Sequence, residues 1–308
     1  MRTSSIKYVF FLLAILVGFS TSYAEDDEGD LRVFADNVIS KGQVFRGSFT
    51  PDGNSFYFFR KVGNPEDYRI YRSDKVDAVW QEPVQIDLGG DYSDLYPDIS
   101  ADGKRMVFAS YRPFPGSNPE KPQSNIWITE REGDGWGVPR PLVGLGALEN
   151  YKSGPRFNEK GEILFESSLP DFSGKAFYIA RPTAEKDIYY VEADTMVKDF
   201  QKTLENQRLN RVRLSADGRL LFFNIIEKDP ASDRYLPADY WVSVKTEQGW
   251  SEMLPLEGGV NTKYYENFLV ITPDGKDIIF VRGFRKFFTI SLKKALPKAI
   301  ADIYYKDM

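Results

Sequence analysis

Five times along this chain an apolar segment runs into a tight glycine turn and leaves it as an aromatic-rich strand. The copies read Phe49-Thr-Pro-Asp-Gly53, Ile99-Ser-Ala-Asp-Gly103, Phe157-Asn-Glu-Lys-Gly161, Leu214-Ser-Ala-Asp-Gly218 and Ile271-Thr-Pro-Asp-Gly275. Their glycines lie 50, 58, 57 and 57 residues apart, a spacing typical of chains built from repeated supersecondary units. Each unit has strand chemistry and no helical segment. The 308 residues therefore count better as one ring of β-sheets than as two domains.

Each repeat reads as four strands, a to d. Strand a enters the turn, as in Tyr96-Pro-Asp-Ile-Ser100. Glycine in the turn supplies a positive φ, and the aspartate bonds the local backbone. Strand b is Ser55–Phe59, Met106–Ala109, Ile163–Glu166, Leu220–Phe223 or Ile278–Val281. Such near-continuous apolar runs predict strands covered on both faces. An aromatic content of 15% suits the same packing. Strand c is Arg69–Tyr71, Asn125–Trp127, Ala176–Tyr178, Asp239–Trp241 or Lys286–Phe288. Strand d opens on Trp80, Trp136 and Trp250 in three repeats, and the third repeat offers Asp187–Tyr190 instead. The fifth repeat stops after strand c. The segment Leu31–Ser40 precedes the first copy and is expected to supply the missing outer strand, leaving no unpaired edge.

Residues 1–24 have the pattern of a secretory signal peptide: Arg2 and Lys7, the apolar run Tyr8–Gly18, then Ser22-Tyr23-Ala24 as the cleavage site. An acidic linker over 25–30 follows, then the ring over 31–292 and a short C-terminal tail over 293–308, expected to be helical. The chain has no cysteine, so neither disulfides nor a lipid on an N-terminal Cys are expected. Export without disulfides points to a bacterial periplasm or cell surface. No other stretch is long enough to span a bilayer.

These residues resemble the WD40-like β-propeller repeat built on Pro-Asp-Gly turns, found in the TolB translocation protein and other exported bacterial proteins. The second repeat carries the resemblance best, through Pro97, Asp102, Gly103, Phe108, Ser110, Arg112 and Trp127. The third departs most, with Glu159-Lys160 at the turn. The resemblance covers 31–292 and implies an all-β propeller. Five copies make five blades, with a six-bladed TolB-like ring as the alternative. Envelope partners are a further implication, although no separate N-terminal domain of the TolB type is present.

Histidine and cysteine are both absent, which removes Ser-His-Asp and Cys-His catalysis, ordinary zinc sites and His-ligated iron or copper. Neither Gly-rich nucleotide motif occurs. A net charge of −5 argues against nucleic acid. No metal or cofactor is expected, and the chain is expected to be a monomer.

The turn aspartates Asp52, Asp102, Asp217 and Asp274 are read as backbone caps. A site is expected on the opposite face, where the long loops Tyr111–Ser124, Leu169–Lys175 and Lys228–Ala238 gather. On the inner strands, Arg46, Tyr96, Asp98, Arg156, Arg211 and Arg213 fall at positions that face the channel. Arginine forks suit carboxylate or sulfate groups, and Tyr92, Tyr151, Tyr264 and Tyr265 could stack on sugar rings. A structural role is the competing reading, with these arginines paired to Asp94, Glu149 and Glu266 between blades.

Two functions follow. The first is a non-catalytic envelope binder of an anionic glycan, a peptidoglycan fragment or a protein partner. The second is a glycoside hydrolase or lyase using Asp94, Asp98, Glu149 or Glu266, which needs two carboxyls about 5–9.5 Å apart across a pocket.

Overall fold

The structure is a computed structural model that describes residues 31–63, 67–115, 123–144, 151–169, 175–185, 188–194, 204, 207–227, 229, 231–232 and 236–306. The expected signal peptide, the acidic linker and Glu149 lie outside the described residues.

Five antiparallel sheets form a five-bladed β-propeller. Strand β1 (Arg32–Val33) comes first in the chain but belongs to the last blade. Blade 1 contains β2 (Val44–Phe49), β3 (Ser55–Lys61), β4 (Tyr68–Val76), β5 (Val79–Trp80) and β6 (Val84–Gln85). Blade 2 contains β7 (Asp94–Ile99), β8 (Arg105–Ser110), β9 (Asn125–Glu132), β10 (Gly135–Trp136) and β11 (Arg140–Pro141). Blade 3 contains β12 (Lys152–Phe157), β13 (Ile163–Ser168), β14 (Lys175–Pro182) and β15 (Tyr189–Ala193). Blade 4 contains β16 (Gln207–Leu214), β17 (Leu220–Glu227), β18 (Asp239–Thr246), β19 (Gly249–Trp250) and β20 (Leu254–Pro255). Blade 5 contains β21 (Glu266–Ile271), β22 (Asp277–Arg282) and β23 (Lys286–Ser291), with β1 as its outer strand.

Closure follows the expected route with a shorter ladder. Arg32 and Val33 pair with β23 opposite Thr289 and Phe288, and Phe34 N donates to Phe287 O at 2.8 Å. Beyond them the chain turns through Ala35 and Asn37 at positive φ. Ser40 then extends the pairing with its side chain: its hydroxyl donates to Phe34 O (2.6 Å) and accepts from Phe287 N (3.1 Å). Phe34 packs edge-on against Phe56 and Trp80 of blade 1. The same short segment is thus outer strand to blade 5 and core to blade 1.

In blades 1, 2 and 4 the outer strand is broken just after its tryptophan. At the break, Gln81, Gly137 and Ser251 donate their backbone N–H to strand c. Their carbonyls accept the hydroxyls of Ser73, Thr129 and Ser243. Blade 3 has neither the tryptophan nor the hydroxyl, and its outer strand is the unbroken β15, Tyr189–Ala193; Asp187, where this strand was expected to begin, lies outside the described residues. The chain ends in helices α1 (Leu292–Ala295) and α2 (Lys298–Tyr304). They are not a loose tail, because Leu292, Leu296, Ile300 and Tyr304 are buried in one cluster with the cores of blades 4 and 5.

The turn aspartates act as caps. Asp52, Asp102, Asp217 and Asp274 each accept the N–H two residues on and the hydroxyl two residues back. Those hydroxyl bonds are the main reason why Asp52, Asp102 and Asp274 titrate below the usual carboxylate range. In the third repeat, Asn158 takes over. Its Oδ1 accepts from the N–H groups of both Lys160 and Glu162. The turn glycine keeps the same conformation, at φ +73° against +69° to +72° in the others. However, the ladder resumes one residue sooner: Asn158 N bonds to Glu162 O, whereas Thr50 N reaches Ser55 O. Strand b of blade 3 is therefore shifted by one residue relative to its glycine, which exchanges the faces of its side chains.

Candidate functional site at the propeller centre

All five inner strands contain a bulge at the same place, between Phe45 and Gly47, Leu95 and Asp98, Ser153 and Arg156, Leu209 and Arg211, and Asn267 and Val270. A bulge adds a residue to one strand and re-aims its side chains. Tyr96 and Phe268 sit in the bulge at φ +56° and +59°, a conformation that costs an L-residue roughly 1–2 kcal/mol. Gly154 occupies the equivalent position at φ +61° without that cost.

The bulged strands direct five charged side chains, Arg46, Asp98, Arg156, Arg211 and Arg213, into the centre, where Glu166 of β13 and Lys175 of β14 join them. Asp98 is buried (3% exposed) and joins four blades. Its Oδ1 accepts from Arg46 Nη2 of blade 1 (3.5 Å) and Arg213 Nη1 of blade 4 (3.3 Å). Its Oδ2 accepts the backbone N–H of Phe157 in blade 3 (2.9 Å). Arg46 also donates to Pro155 O at 2.7 Å. The second carboxylate, Glu166, accepts from Lys175 Nζ at 2.7 Å and from Arg211 Nη1 at 3.4 Å. Burial works to raise the Glu166 pKa, but Lys175 and Arg211 outweigh it and hold the group below its ordinary value. Arg211 lies over the ring of Phe268, 4.4 Å from its centroid, and 5.5 Å from that of Tyr96.

Arg156 differs from the other three central arginines. It is 6% exposed and makes no hydrogen bond or ion pair among the described residues. Burial lowers its pKa to about 10, with the charge of Arg46 adding to the effect. Arg46, Arg156, Glu166, Arg211, Val212, Arg213, Tyr240, Phe268 and Leu269 surround a cavity. Its room for the centres of water-sized atoms is about 20 Å³.

The expected convergence of Arg46, Tyr96, Asp98, Arg156, Arg211 and Arg213 is therefore present as geometry. The expected pairing of these arginines with Asp94 and Glu266 is not. Asp94 pairs with Arg112 (2.5 Å) and Glu266 with Arg282 (3.0 Å), each within its own blade. Burial comes first in raising both carboxyls against these arginines, and Glu266 reaches about 7. The two arginines share a further task. Arg112 donates to the carbonyls of Leu88 and Gly89, and Arg282 to those of Gly259 and Val260. Arg60 does the same to Val38 and Ile39. Each anchors the linker entering its blade while lying over strand aromatics such as Phe58, Phe108 and Phe280.

Sequence reasoning missed Glu166 and Lys175. Glu166 occupies the ladder position held by Phe59, Ala109, Asn224 and Val281 in the other blades. A carboxylate in that series is a signal, but the one-residue shift of the third turn conceals it from any count made from the glycine. Of the linker tyrosines, Tyr92 lies under the Arg112 guanidinium at 5.2 Å and Tyr265 against Phe284 at 6.0 Å; both are 36% exposed. Much of the three long loops falls outside the described residues. Among the described residues no group of three or more Asp or Glu side chains is placed to hold a metal ion. None of their helices is long and apolar enough to cross a membrane.

No family model matches the chain, and no curated protein matches it. Solved structures do. A thermostable family-43 glycoside hydrolase is 9% identical with a TM-score of 0.50, over 85% of this chain and 97% of that one. A GDP-Man-dependent mannosyltransferase from Leishmania mexicana is 11% identical with a TM-score of 0.44, over 89% and 92%. At these identities the likeness is one of fold.

Proposed function

We propose that this chain is an exported, non-catalytic binding propeller of the bacterial envelope, of the kind built on Pro-Asp-Gly turns. In this reading the arginine-lined centre recognises an acidic group of a glycan, a peptidoglycan fragment or a protein partner. The observation that carries it is the state of the carboxylates. Asp94, Asp98 and Glu266 are each held by arginine, while Arg156 makes no hydrogen bond or ion pair among the described residues and faces the cavity.

A glycosidase requires one carboxyl to act as an acid and a second to act as nucleophile or base on opposite sides of a bound sugar. Asp98 has both oxygens engaged, and Asp94 and Glu266 are buried inside separate blades. The likeness to a family-43 hydrolase concerns the fold and supplies no second carboxyl. The test is a thermal-shift screen of glycans and muropeptides on the mature chain, with Arg213→Ala as comparison. An acidic ligand that raises Tm less in the variant supports the reading. Hydrolysis of any screened glycan would refute it.

A further inference from the structure

The central charges do not balance. Among the described residues, Arg46, Arg156, Arg211, Arg213 and Lys175 face two carboxylates at hydrogen-bond range, Asp98 and Glu166, while buried Asp194 acts on Arg156 through its charge alone. Asp98 is divided between Arg46 and Arg213, and Glu166 between Lys175 and Arg211, which leaves Arg156 with the charges of Glu166 and Asp194 nearby but no hydrogen bond or ion pair among the described residues. Within Arg211 itself, Nε is buried without a hydrogen-bond partner. Two arginines from different blades thus line one cavity, Arg156 without a hydrogen bond among the described residues and Arg211 with its Nε unpaired.

An unpaired buried charge is costly, and most ionisable groups respond by becoming neutral. Arginine cannot, because its pKa lies too far above neutrality. Even with burial and Arg46 against it, Arg156 keeps its proton at pH 7. Glu166 and Asp194 offset part of that cost, and an added negative charge would offset the rest. The cavity has room for one small group, since a single water needs about 10–15 Å³ by the same measure. Phe268, Leu269 and Val212 on its wall keep the local dielectric low, which strengthens any ion pair formed there.

We infer that the centre of the propeller binds a single small anionic group, seated on Arg156 with Arg46, Arg211 and Arg213 around it. This deepens the reading of the centre as a binding site and rests on it. The group is either a free inorganic or carboxylate anion or the acidic terminus of a larger ligand. Its charge also ties blades 1, 3 and 4 together, so occupancy is expected to stabilise the ring.

The test uses the mature chain in a buffer whose only anion is bulky, such as gluconate, at constant ionic strength. Chloride, acetate, sulfate and phosphate are titrated in separately, followed by a muramyl dipeptide carrying a free carboxylate. Tm and calorimetric heats are recorded. At least one anion should give a saturable rise of roughly 5–10 °C at a hundredfold excess over its Kd. Arg156→Met should abolish that rise while melting no lower than the parent in gluconate, because it removes an uncompensated charge. Should that variant not fold, the heats measured on the unaltered chain decide.

No saturable effect of any small anion, with no heat, would overturn the inference whether or not glycans bind. A large Tm loss for Arg156→Met in gluconate would overturn it too, by showing that the arginine was already paired. Small anions that bind while every glycan and muropeptide fails would uphold the anion site and refute the proposed ligand class.

Discussion

Replacing Asp98 by asparagine is the most informative single perturbation of this ring. The side chain is buried and accepts three donors, one at 2.9 Å and two guanidiniums at 3.3 and 3.5 Å. Asparagine keeps the shape but removes the charge, so Arg46 and Arg213 lose their shared counter-ion. Removing one partner of a buried pair costs about 3–5 kcal/mol. Both guanidinium contacts are longer than ideal, which puts Asp98→Asn near the lower end, about 3 kcal/mol. For a ring of this size that corresponds to a fall in Tm of about 6–12 °C.

The assay is urea unfolding followed by tryptophan fluorescence in the bulky-anion buffer, where an unchanged m-value attributes the loss to stability. The same measurement on Asp98→Asn/Arg213→Gln is the sharper part. Taking away the second charge relieves the imbalance left by the first, so the double variant should recover about 1 kcal/mol relative to additivity. A loss below about 1 kcal/mol for the single variant, or strict additivity in the double, would refute the view that Asp98 is the electrostatic joint between blades.

Ser40→Ala should cost about 1–3 kcal/mol by leaving the buried Phe287 N–H without an acceptor, read as a lower urea midpoint. In Gly47→Ala the new Cβ would lie 2.0 Å from Phe56 Cζ in a filled aromatic core. Its cost should be about 3 kcal/mol or more, visible as a lower Tm. Glu266 has a folded pKa of about 7, above its ordinary 4.5. Its stabilising contribution is therefore complete below about pH 4.5 and lost as pH rises through 7. Glu266→Gln should remove a pH-dependent term of order 3 kcal/mol across that window, leaving a flatter stability profile. Matching slopes for parent and variant would contradict the raised pKa.

The parts of the fold readable from the chain are those set by near neighbours. The glycine turns, their Thr or Ser partners and the following apolar strands depend on bonds spanning two to five residues, such as Thr50 to Asp52 and Ser55. Closure by the N-terminal segment was readable because five copies with one outer strand missing leave a single solution. Glu166 was not, since its place depends on a register that shifts by one residue when Asn158 does the work of an aspartate. The true partners of Asp94 and Glu266 were hidden for a related reason. Arg282 is cross-strand neighbour to Glu266, whereas Arg112 reaches Asp94 from two residues past Ser110, the residue that faces Asp94.

By itself the sequence determined a ring of five strand units, because repeated local turns and two-faced apolar strands have few other ways to bury themselves. It also excluded histidine and cysteine chemistry outright. What only the tertiary structure decided is the balance of charge at the centre. Arg46, Asp98, Arg156, Glu166 and Arg213 come from four blades and meet only after the ring closes. Coulombic interactions depend on distance and burial, and neither is set until the closed ring brings those side chains together at its centre.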